Sequence, residues 1–75
     1  MDTLFTTSVI IEGQPQDYTV TFADDVYHFR PDGNSNAPVF GLRRTEDAWK
    51  LEGNLSEISK SQAVTALEGY LLSQH

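Results

Sequence analysis

The sequence predicts an α+β domain, a five-stranded antiparallel β-meander with one C-terminal α-helix packed on one face. Three observations carry this. From Asp17 to Arg30, aromatic and β-branched residues alternate with polar ones, interrupted only by Asp24-Asp25. Period two with such residues marks strands with one buried face, and two Asp residues between the runs mark a tight hairpin turn. Beyond Asn54 the apolar period lengthens, with Ala63, Val64, Leu67, Tyr70 and Leu71 at helical spacing.

Each element follows in order. Residues 4–12 form the first strand, with Phe5, Thr7, Val9 and Ile11 on one face and Leu4, Thr6, Ser8, Ile10 and Glu12 on the other. Gly13-Gln14 suits the central positions of a type II′ turn, which takes Gly first. Residues 17–23 and 26–30 are the second and third strands. The run from Pro31 to Pro38 is rich in turn formers and makes a loop. Residues 39–44 carry Phe40 and Leu42 in one phase, and 48–52 carry Trp49 and Leu51. The helix spans 59–73. Ser59 with Gln62 matches a capping box, and Ile58 is placed to staple onto Ala63. Gly69 lies inside this helix at a cost of about 1 kcal/mol relative to alanine. Close packing against a large ring, such as Trp49, accounts for it.

Register ties the strands together, since paired residues share a face. Hairpins centred on Gly13-Gln14, Asp24-Asp25 and Thr45-Glu46, with the longer loop between, give one row of Phe5, Phe22, Tyr27, Leu42 and Trp49. The next row is Thr7, Val20, Phe29, Phe40 and Leu51. A sheet with one apolar face needs a cover, and the C-terminal helix is the only candidate.

Seventy-five residues make one small domain, 1–75. Cysteine is absent, which excludes disulfides and thiolate metal sites and fits a reducing compartment. No secretory leader and no run long enough to cross a bilayer is read, so a cytoplasmic location is expected. Eleven acidic and five basic side chains give a formal net charge of −6. That balance argues against nucleic acid and anionic membrane surfaces, both of which call for Lys and Arg. It suits solubility or a basic partner.

Few residues are arranged for chemistry. Asp32, Asn34 and Asn36 alternate like the first ligands of a calcium loop, but Ala37 and Arg43 stand where an EF-hand needs Gly and a carboxylate. The acidic pairs Asp24-Asp25 and Glu46-Asp47 fall in turns. His28 is the one histidine inside the fold, His75 being terminal, and no partner set for a triad or a zinc site accompanies it. No enzyme activity, cofactor or metal is expected on this inventory.

Two surfaces remain. On the outer sheet face, His28, Gly41 and Lys50 are expected in one row with Arg43 diagonal to them, around the gap that Gly41 leaves in the pleat. That cluster would take a small anion or carboxylate; the plain alternative is a solvated sheet face, with Arg30 and Lys50 paired to Glu52 and Gly41 marking a bulge. The first strand is the second surface. It ends the sheet, carries neither Lys nor Pro, and is apolar on both faces. Such an edge is exposed to strand addition by another protein or a second copy, with Leu4, Thr6, Ser8 and Ile10 at the interface. A cover from the helix end or from the N-terminal residues would remove this opportunity. The leading expectation is a non-enzymatic interaction module; anion binding at His28, Gly41, Arg43 and Lys50 is the alternative.

Overall fold

The computed structural model describes residues 3–33 and 36–74. Asn34 and Ser35 of the expected loop, and the terminal His75, lie outside them. Strands β1 (Thr3–Ile11), β2 (Gln14–Ala23), β3 (Val26–Pro31), β4 (Phe40–Arg44) and β5 (Trp49–Glu52) form one antiparallel sheet in chain order. Helix α1 (Glu57–Ser73) packs on its apolar face. The α+β meander expected from the sequence is therefore the observed architecture.

Two tight turns set the first three strands. Glu12 and Gly13 have φ of 51° and 79°, and Asp24 and Asp25 have φ of 54° and 64°. Positive φ at both central residues is the type I′ signature, whose twist matches that of the flanking strands. The first turn is thus centred on Glu12-Gly13, with Gly second, and not on Gly13-Gln14 as a type II′ turn. The β1–β2 register moves by two residues as a result: Phe5 faces Val20, Thr7 faces Tyr18 and Val9 faces Gln16. An even displacement keeps every side chain on its expected face. The register shifts once more between Thr3 and Phe5, at Leu4. Phe5 therefore does not face Phe22; its ring stacks on Tyr70 with centroids 4.4 Å apart. Phe22 is left 43% exposed, with Tyr27 tilted against it at 4.6 Å.

The β2–β3 and β3–β4 pairings match the expected ones, with Val20 opposite Phe29, Phe22 opposite Tyr27, Phe29 opposite Phe40 and Tyr27 opposite Leu42. At β4–β5 the turn is centred on Glu46-Asp47, one residue later than expected. Thr45 sets it by donating its N–H (2.8 Å) and its hydroxyl (2.9 Å) to the Ala48 carbonyl. Leu42 consequently faces Leu51, and Trp49 faces Arg44. Trp49 keeps the core side of the sheet but lies at its margin. Its indole N–H donates to Glu68 at 3.2 Å, and the Arg44 guanidinium sits 5.2 Å from the ring centre.

The core joins Val9, Tyr18, Val20, Phe29, Phe40 and Leu42 of the sheet to Ala63 and Leu67 of α1. Phe29 and Phe40 stack at 4.7 Å, with the Tyr18 ring edge-on to Phe40 at 5.3 Å. The Tyr18 hydroxyl donates to the Pro38 carbonyl at 2.8 Å, so this buried ring keeps its polar end satisfied.

Helix α1 begins two residues earlier than expected. Ser56, in extended backbone, is the N-cap, and its hydroxyl accepts the Ser59 N–H at 3.2 Å. Ser59 is therefore inside the first turn, and Ile58 is 73% exposed and staples nothing. Gly69 also departs from expectation: a Cβ there would meet nothing within 4 Å, so no ring packs against it. The helix runs antiparallel to β1, with Ser59 at Ile10 and Tyr70 at Phe5. Eleven helical residues rise roughly 16 Å and five strand residues roughly 17 Å, so the two elements keep pace.

Candidate functional site

β1 forms one end of the sheet, and its backbone is where the structure departs most from a plain meander. Ile10 donates its N–H to the side-chain carbonyl of Gln62 at 2.8 Å and accepts the Ser59 hydroxyl at 2.5 Å. Both backbone groups of Ile10 thus point away from β2. In an antiparallel strand these directions alternate by residue, so Phe5, Thr7, Val9 and Ile11 bond β2 while Thr6 and Ser8 point outward with Ile10. No described residue meets the outward N–H and C=O of Thr6 or Ser8. The open edge is short: the clasp on Ile10 closes one end and the register shift at Leu4 closes the other.

The four edge residues singled out from sequence accordingly divide. Thr6 and Ser8 are exposed and have outward backbone groups; Leu4 is half-buried at the register shift; Ile10 is half-buried and already bonded. Ser59 and Gln62 were missed as edge-binding residues. Their i, i+3 spacing is a real signal, read as a capping box, but the cap is Ser56. With the N-terminal turn already capped, the buried Ser59 hydroxyl and the Gln62 carbonyl turn to the strand.

On the outer face, His28 lies opposite Gly41 as expected. The rest of the row is corrected by the later β4–β5 turn: Gly41 faces Glu52, and Lys50 faces Arg43. Arg43 Nε donates to Glu52 Oε2 at 2.9 Å, so a carboxylate occupies the position expected for Lys50. Nor is Gly41 an open gap. It is buried, and a Cβ built on it would come within 2.7 Å of Val26 Cγ1. Val26 itself is 3% exposed, its methyl group lying over the glycine. The structure brings His28 to Gly41 and Arg43 to Lys50, but not the four around one opening.

Among the described residues no group of three or more His, Asp or Glu side chains is placed to hold a metal ion. No described helix is long and apolar enough to cross a membrane. The fold is a small α+β domain whose sheet has two edges, β1 and β5; among the described residues the β1 edge is unpaired over the short segment Thr6–Ser8. No protein-family model, curated protein or solved structure matches the chain.

Proposed function

We propose that this chain is a non-enzymatic interaction module that docks an extended strand along the Thr6–Ser8 edge of β1. The observation that carries the reading is the contrast within one strand: Ile10 is clasped by Ser59 and Gln62, while Thr6 and Ser8 keep outward backbone groups. An added strand gains up to four ladder hydrogen bonds there, each with a net worth of about 0.5–1.5 kcal/mol. Association costs at least about 4 kcal/mol in lost freedom, so docking is weak and reversible. Strand addition needs no pocket and no catalytic group, which fits a chain whose single internal histidine, His28, neighbours Thr21 and Gly41 in the sheet.

A peptide reproducing Leu4–Ile10 serves as a probe strand. Titrated into the labelled chain, it slows amide exchange and shifts resonances at Thr6 and Ser8, leaving the Lys50 side of the sheet unchanged. Unchanged exchange at both residues under saturating peptide overturns the reading.

A further inference from the structure

We infer that the strand docked on β1 is β1 of a second copy of this chain, antiparallel and related by a two-fold axis through Thr7. This rests on the edge-docking reading above and names its occupant. In this register Thr6 faces the partner's Ser8 and Ser8 faces the partner's Thr6.

The register follows from which backbone groups are available. Two antiparallel copies related by a two-fold axis pair residues whose numbers have a constant sum. Centring on Thr6 uses Thr6 alone, because Ser8 then meets the partner's Leu4, at the register shift. Centring on Ser8 brings Thr6 against the partner's Ile10, whose groups are held by Ser59 and Gln62. Centring on Thr7 uses both open residues of both chains. It also sets each clasped Ile10 against the partner's Leu4, so the ladder ends at the same place on both copies.

Charge supports the same occupant. The chain carries a net charge of −6, which opposes self-association in general. Yet Thr3–Ile11 contains no charged residue, and the side chains flanking the axis are Thr6, Thr7 and Ser8. Copies meeting here place hydroxyls opposite hydroxyls, and neither paired strand carries a carboxylate.

The chain has no cysteine, so engineered thiols report the register directly. Thr6 and Ser8 are exposed, and Thr6→Cys and Ser8→Cys leave the core untouched. Facing residues in such a pair have Cα atoms about 5.5 Å apart, within disulfide reach; Thr6 and the partner's Thr6 are more than about 7 Å apart, beyond it. The two single variants are mixed in equal amounts, oxidised gently and resolved by mass. The expected result is a mixed disulfide well above the twofold excess over each like-with-like product that random pairing gives, because only the mixed pair lies within disulfide reach. Random yields, or an excess of either like-with-like product, overturn the inference. If the Leu4–Ile10 peptide still protects Thr6 and Ser8 while disulfide yields are random, only the second copy falls. If the peptide has no effect and yields are random, the docking edge falls with it.

Discussion

Gln62 accepts the Ile10 N–H at 2.8 Å, and this bond is half of the clasp that closes one end of the β1 edge. With Ser59 on the Ile10 carbonyl, α1 satisfies both edge groups of a strand residue from within the chain. Proteins commonly blunt sheet edges with charge, proline or a covering element. Here two uncharged helix side chains blunt one residue, while among the described residues nothing meets the outward groups of Thr6 and Ser8.

Gln62→Ala removes the only described acceptor for the Ile10 N–H. The variant is expected to lose about 0.5–1.5 kcal/mol of stability. Ile10 amide exchange should accelerate selectively, while Val9 and Ile11, bonded to β2, stay protected. Denaturant unfolding with residue-resolved exchange checks both parts.

Gly41→Ala is expected to destabilise the domain by about 1–3 kcal/mol, the usual cost of overpacking. The new methyl would sit 2.7 Å from Val26 Cγ1. Combining it with Val26→Ala removes that clash, so the double variant should be more stable than the sum of the single losses implies. A thermodynamic cycle on the four proteins gives the coupling.

Gly69→Ala should raise stability by about 0.4–1 kcal/mol. A Cβ at this exposed helical position meets nothing within 4 Å, so the alanine gains helix propensity without crowding. The unfolding midpoint should increase at constant m-value.

Tyr18 gives the domain an alkaline limit. Burial raises its phenol above the ordinary value of 10.0. The unfolded chain therefore loses this proton first as pH rises, so the unfolded state binds fewer protons and stability falls. The contribution of Tyr18 is complete below pH 10.0 and is lost as pH climbs through the raised folded value. Tyr18→Phe should lose about 0.5–1.5 kcal/mol at neutral pH with the bond to Pro38. It should also show a shallower decline in stability above pH 10.0 than the parent chain.

The meander was legible because period-two patterning assigns faces, and faces survive an even register error. Val9, Tyr18, Val20, Phe29, Phe40, Leu42 and Leu67 all fall in the core. Two of the three tight-turn centres were misplaced by one residue, since Gly13 suits either of two turn types and Thr45 can open or close its turn. Each displacement moved pairs by two and left faces intact, but it separated Lys50 from Gly41 and put Glu52 there. The anion cluster depended on pairing, which periodicity constrains far less than face. The edge of β1 was legible from its lack of Lys and Pro and from its apolar residues on both faces. Its division at Ile10 was not, because a serine and a glutamine three residues apart carry the same local pattern whether they cap a helix or reach to a strand.

Amide exchange at Thr6 and Ser8, followed as the chain is concentrated from dilute solution, tests the docking edge most directly. The account predicts fast exchange at both residues when dilute and progressive protection of both together as concentration rises, with Thr7 and Val9 protected throughout. Protection of Thr6 and Ser8 already present in the dilute monomer, or fast exchange at every concentration, would contradict it.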